Sequence, residues 1–128
     1  MLEMRNIDKV FGSGTVNEAR IFSDFNLSVG DGEFLSVVGS NGSGKTTMLN
    51  IVSGTVPCDS GQIMFGRRDI TRLPEHRRAE RIGRVFQNPA LGTVPGMTII
   101  ENLALAANKG HPYSLGFMIE HRRRAELR

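Results

Sequence analysis

At 128 residues, with 16 Lys plus Arg against 13 Asp plus Glu for a net charge of +3, the chain has the length of one domain and one core. A single cysteine, Cys58, excludes an intrachain disulfide and a multi-cysteine metal site, which points to a reducing compartment. The first residues include Glu3, Arg5, Asp8 and Lys9 and do not read as a signal peptide. No apolar run approaches the roughly 18 residues that cross a bilayer, so direct membrane insertion is not expected.

Leu2 to Ile7 alternates imperfectly and predicts an edge-like strand closed by Val10 and Phe11. The turn cluster Gly12-Ser13-Gly14-Thr15 leads to a second weakly alternating stretch, Ile21 to Val29, and the two read as an antiparallel β-layer. After Gly30-Asp31-Gly32, the run Glu33 to Val38 predicts a short strand feeding the loop Gly39-Ser40-Asn41-Gly42-Ser43-Gly44-Lys45-Thr46. Thr47 to Ser53 then carries Met48, Leu49, Ile51 and Val52 at helical spacing, with Gly54 as its stop. Further along, Gln62 to Phe65 predicts a strand, Pro74 opens one or two helical turns, and Ile82 to Phe86 alternates as another strand. Thr98-Ile99-Ile100-Glu101 matches a capping box and predicts a helix through about Asn108, ended by Gly110-His111-Pro112. Tyr113 to Gly116 reads as a connector, and Ile119 to Arg128 has helix-forming composition.

The loop fits G-x-x-x-x-G-K-[ST] in the strand, loop, helix context that gives this pattern its chemistry. Glycines 39, 42 and 44 let successive N–H groups curl toward one anion. The following helix adds unpaired N–H groups and the positive end of its dipole. Lys45 supplies a mobile charge for the β- and γ-phosphates, and the Thr46 hydroxyl is placed to ligate Mg²⁺. Guanine-specific recognition is not supported, because Asn108-Lys109-Gly110 is followed by His111 where a carboxylate is required. The arginines at 67, 68, 72, 77, 78, 81, 84 and 122–124 read as solvated helix faces. With no Trp and one Tyr among them, nucleic acid is not the expected partner.

Arg84-Val85-Phe86-Gln87-Asn88-Pro89 places a glutamine at a strand end beyond the phosphate loop, where its carbonyl can face Mg²⁺ and its amide a water. With this residue the chain resembles the ATP-binding subunit of ABC transporters from about Leu2 to its last residue. By that resemblance Gln87 matches the glutamine that senses the γ-phosphate and Mg²⁺ and couples to the membrane subunits. Asn6 to Gly12 looks like the adenine-stacking loop, with Phe11 as platform where the family more often has tyrosine. Met97 to Leu103 resembles the segment that opens the helical subdomain. The candidate catalytic residues are thus Lys45 and Gln87, and the candidate Mg²⁺ ligands Thr46 and Gln87. The candidate nucleotide contacts are Phe11, Gly39, Ser40, Asn41, Gly42, Ser43, Gly44, Lys45, Thr46 and Thr47.

The resemblance implies an α/β fold with an incomplete P-loop NTPase (RecA-like) core, an antiparallel β-layer and the start of an α-helical subdomain. Residues 1–38 would form the β-layer and the strand into the loop, 39–90 the loop, helix and glutamine region, and 91–128 the start of the helical subdomain. It implies ATP and Mg²⁺ as cofactors, and as partners transmembrane permease subunits and a second ATP-binding subunit. Location would be cytoplasmic, peripheral at the inner face of the membrane. Absent from the sequence are Leu-Ser-Gly-Gly-Gln, a second apolar strand ending in Asp-Glu, and the switch histidine; neither Ser114-Leu115-Gly116 nor Phe117-Met118-Ile119-Glu120 supplies them. The expectation is a truncated ATPase that binds nucleotide with little turnover and exposes an apolar edge. An ABC-type ATPase acting on nucleic acid or ribosomes is the alternative.

Overall fold

The computed structural model describes residues 1–108, which fall in two compact units, Met1–Arg78 and a second beginning at Ala79. The expectations for 109–128, including the connector and the last helix, lie outside the described residues.

In the first unit, β1 (Leu2–Phe11), β2 (Ala19–Val29), β3 (Ser60–Phe65) and β4 (Arg68–Asp69) form one antiparallel sheet in the order β2-β1-β3-β4. The β-layer is therefore as expected, but β1 is a central strand and not an edge. Its imperfect alternation has a local cause. Asn6 has φ +50 and is an extra residue against both neighbours, since Met4 pairs with Leu27 and Ile7 with Phe25. A bulge shifts the side-chain phase by one, so Ile7 and not Asn6 joins Met4 in the core. Asp24, at φ +51, makes the matching bulge on β2 and brings Phe22 and Phe25 together with ring centroids 4.8 Å apart. The two bulges are tied to each other: Asn6 Nδ2 donates to Asp24 Oδ1 at 2.5 Å, and Asn6 N to Asn26 Oδ1 at 2.8 Å. Gly61 lies across from this kink at φ +96, where a Cβ would stand 2.4 Å from the Asn6 carbonyl oxygen.

Between β2 and β3 comes α1 (Lys45–Ser53), which buries Met48 and Ile51 and ends at Gly54 in the left-handed region, as its sequence predicts. A single helical turn, α2 (Glu75–Arg78), follows the sheet. Met4, Ile7, Phe22, Met48, Ile51, Ile63 and Ile70 make the core of this unit.

Glu33 to Val38 belongs to no ladder, contrary to the sequence expectation. Phe34 is 93% and Val38 88% exposed. A strand of parallel type is held by neighbours on both sides and layers on both faces, and no such neighbour is present among the described residues. The apolar edge expected from the sequence is therefore not formed as a sheet edge; apolar side chains of an unpaired segment are exposed in its place. In the second unit, Ile82 to Phe86 likewise forms no strand, and the Arg84 guanidinium lies 4.6 Å from the Phe86 ring centroid. A 3-10 turn spans Pro89–Leu91, and α3 (Ile99–Ala107) starts with the predicted capping box. Thr98 Oγ1 accepts from Glu101 N at 3.3 Å while Glu101 Oε2 accepts from Thr98 N at 2.8 Å. The Thr98 N–H, and then the Thr98 hydroxyl, donate to the Glu101 carboxylate and hold it below its usual pKa.

Candidate nucleotide-binding site

The phosphate loop is built by backbone that residues with a Cβ enter only under strain. Gly42 has φ +84 and Gly44 φ +88, and Ser43 N donates to Ser40 O at 3.3 Å to close the turn. Gly44 is also the N-cap of α1; it brings no side-chain cap, and the first turn of the helix holds no acidic residue. The first N–H groups of a helix have no acceptor within it, so this end is left for an acceptor from outside. Nothing stands within 4 Å of the place a Gly42 Cβ would take, whereas a Gly39 Cβ would stand 2.7 Å from Ser43 Oγ. Ser40, Asn41, Ser43 and Thr46 are exposed, and Lys45 and Thr47 half-buried.

Lys45 turns back on its own loop. Its ammonium donates to Gly39 O at 2.7 Å, to Ser40 O at 2.6 Å and to Ser43 Oγ at 3.3 Å. The cation thus lies on the loop whose following helix leaves its first N–H groups without an internal acceptor, which is chemistry suited to a phosphate. The two carbonyls hold the charge where a phosphate oxygen can compete for it.

Phe11 ends β1 opposite Ala19, on the strand pair whose Ile21 and Phe22 back the loop at Gly44. Its ring is 41% exposed. The Lys9 ammonium lies 5.2 Å from the ring centroid and is itself fixed by Asp59 Oδ1 at 2.7 Å. Asp59 also accepts from Val10 N at 2.7 Å, and the Lys9 and Val10 bonds keep its pKa below the ordinary carboxylate value. Gln87 belongs to the second unit, exposed, in the irregular stretch before the 3-10 turn. The loop, α1 and Phe11 therefore share one unit, and Gln87 is not among them.

Two residues of this region escape a reading of the sequence. Lys9 could have been found, since it follows Ile7 at strand spacing on the buried face. Arg78 could not: grouped with solvated arginines by composition, it is 4% exposed and sends its guanidinium to the end of α1. Burial lowers its pKa, and a guanidinium still remains charged at neutral pH.

A family profile described as "ABC transporter" matches residues 22–127, which contain the loop, α1 and Gln87. The chain belongs to the ABC transporter family. This ABC transporter chain is 44% identical over 122 residues to the tyrosine transport ATP-binding protein of Clostridioides difficile, covering 95% of itself and 49% of that relative. It is 43% identical over 104 residues to the spermidine/putrescine import ATP-binding protein of Haemophilus influenzae, covering 81% of itself and 26% of the relative. Among solved structures it resembles a bacterial ABC transporter cassette seen as a dimer, with TM-score 0.76 and 30% identity. The same values hold for a dimeric ATP-binding cassette in a post-hydrolysis state bound to ADP and Pi; 99% of this chain and 54% of that one are covered. The ABC transporter chain thus spans about half the length of the tyrosine-transport relative and of these cassettes.

Proposed function

We propose that these residues form the phosphate- and adenine-binding part of an ABC importer's ATP-binding subunit. The observation that carries the reading is the Lys45 ammonium held by Gly39 O and Ser40 O beside the uncapped start of α1. Binding exchanges those two carbonyls for β- and γ-phosphate oxygens, while N–H groups between Gly42 and Thr47 donate to the same phosphates. Thr46 Oγ1 and the Gln87 side-chain carbonyl suit a hard cation; when bound, Mg²⁺ neutralises charge on the phosphate oxygens. Phe11 takes the adenine ring on the face that Lys9 does not cover, the Lys9 ammonium lying over the other face.

Import is supported by relatives whose names specify import of spermidine/putrescine or of sulfate/thiosulfate. The partners we assign are transmembrane permease subunits and a second ATP-binding subunit, at the cytoplasmic face of the membrane. No helix among the described residues is long and apolar enough to cross a bilayer, so the membrane is reached through the permease. Arg78 is withdrawn from the surface by burial, which removes one member of the basic cluster on which a nucleic-acid reading would draw. We assign nucleotide binding to these 128 residues and place hydrolysis in a longer polypeptide that adds the Leu-Ser-Gly-Gly-Gln and Asp-Glu segments.

The test is calorimetric titration of the protein at its full natural length with Mg·ATP, wild type against Lys45→Ala. Binding in the wild type that falls steeply in the variant is expected; equal affinity of the two overturns the reading.

A further inference from the structure

The helix that presents N–H groups to phosphate has few attachments of its own. At its start Gly44 offers no side-chain cap, and its last turn contains no basic residue. Helix termini leave carbonyls that must find donors. Gly54 N reaches Asn50 O at 3.0 Å and Ile51 O at 3.3 Å. Asn50 O also accepts from Val56 N at 3.2 Å and from Ser53 Oγ at 3.1 Å, while Ile51 O and Val52 O are met by Arg78, 27 residues along the chain from Ile51: Nη1 donates to Ile51 O at 2.7 Å and to Val52 O at 3.0 Å.

The same guanidinium is anchored on its other side. Nε donates to Leu73 O at 2.8 Å and Nη2 to Thr71 O at 2.9 Å. Thr71 in turn is bound to the sheet, its Oγ1 accepting from Ile63 N at 2.8 Å. Gly54 leaves the space the arginine fills, since a Cβ there would stand 2.9 Å from Nε. A planar fork with fixed donor directions is suited to hold several carbonyls at once, and a cation at a helix C-terminus also complements its dipole.

We propose that Arg78 is a positioning residue for the nucleotide site, clamping the far end of α1 to β3 and so fixing how its first N–H groups meet the phosphates. The inference rests on the nucleotide reading of the loop. α1 has nine residues, so about 13 Å of rigid rod separates the clamp from the phosphates. Tilting that rod about its buried middle moves both ends. Arg78 touches no ligand and acts through the helix.

A merely structural arginine would change stability and leave the affinity of the folded protein alone. The experiment measures Mg·ATP affinity and thermal midpoint on the full-length protein for wild type, Arg78→Lys, Arg78→Met and Ile7→Val. Ile7 is buried in β1 and is not among the groups Arg78 bonds, so its variant loses stability from the core. Arg78→Lys keeps the charge but not the fork and should weaken Mg·ATP binding about tenfold, Arg78→Met more, at temperatures where each is folded. Ile7→Val should bind as wild type does. Wild-type affinity in folded Arg78→Lys, or an equal loss in Ile7→Val, overturns the proposal even if Arg78→Met does not fold. A wild type indifferent to Mg·ATP overturns the nucleotide reading, and this inference with it.

Discussion

Gly44 and Phe22 are in near contact: a Cβ on the glycine would stand 3.2 Å from Cζ of the ring and 2.9 Å from Cγ2 of the adjoining Ile21. The phosphate loop therefore leans on β2 at the residue that also starts α1. Gly44→Ala would add strain at φ +88 and a clash with two buried or half-buried side chains. A loss of about 1–3 kcal/mol is expected from chemical denaturation, with weaker nucleotide binding. Stability equal to wild type would mean that the loop can lift from the strand without cost.

Phe11 should act through its ring and not through a hydroxyl. Phe11→Tyr is expected to keep ATP affinity, and Phe11→Ala to lose about 1–3 kcal/mol of it, the usual range for a base stacked on an aromatic ring. Titrations with ATP and with inorganic triphosphate separate the two halves of the site. Triphosphate affinity should be the same in both variants.

Acid should loosen the β3–β4 corner. Gln62 and then Thr71 hold the Asp69 carboxylate by hydrogen bonds, lowering its pKa from 3.8 to about 2. A pKa lower in the folded than in the unfolded chain gives stability that is present above pH 3.8 and is lost as pH falls through about 2. Asp8, bonded to Ser60 and to the Asp24 N–H, and Asp59, bonded to Lys9, shift in the same direction. Urea midpoints measured from pH 5 down to about 2 should fall less steeply in Asp69→Asn than in wild type.

The capping box of α3 makes a separate prediction. Thr98→Ala removes both the acceptor for Glu101 N and a donor to its carboxylate. Protection of the first-turn amides against hydrogen exchange should drop by about 1 kcal/mol. Unchanged protection would show that Glu101 alone sustains the helix start.

Phe34 and Val38, standing in solvent, should drive association of the 128-residue chain purified alone. Sedimentation velocity is expected to show concentration-dependent species that diminish in the double variant Phe34→Ser, Val38→Thr. A cooperative monomer of ordinary stability would contradict this.

Features decided within a few residues were legible in the sequence. The loop, the α1 stop at Gly54 and the Thr98–Glu101 box rest on glycine's access to positive φ or on one helical turn, and spacing alone reveals them. Features decided by pairing partners were not. β1 read as an edge because the Asn6 bulge breaks its alternation, and two-residue β4 carries no periodicity at all. Glu33 to Val38 has the composition of a buried strand, but composition cannot provide a neighbour to pair with. Arg78 was hidden for the same reason: its partners are carbonyls, which leave no trace in residue type. Of the proposed site, the loop was readable in full, whereas the support behind it emerged only in three dimensions.

The matched kinks at Asn6 and Asp24 have a genetic corollary. The extra residue at Asn6 and the one at Asp24 cancel, so that by Lys9, which pairs with Phe22, the register is back where Met4 and Leu27 set it, and Lys9 lies over the Phe11 ring. Deleting Asn6 alone would remove that kink and leave Ile7, Lys9 and Phe11 on their present faces, whereas deleting Asp8, which lies outside it, would turn every later β1 side chain over and put Val10 on the face that Phe11 now holds. A codon lost from a strand interior would thus abolish recognition while sparing every glycine of the loop.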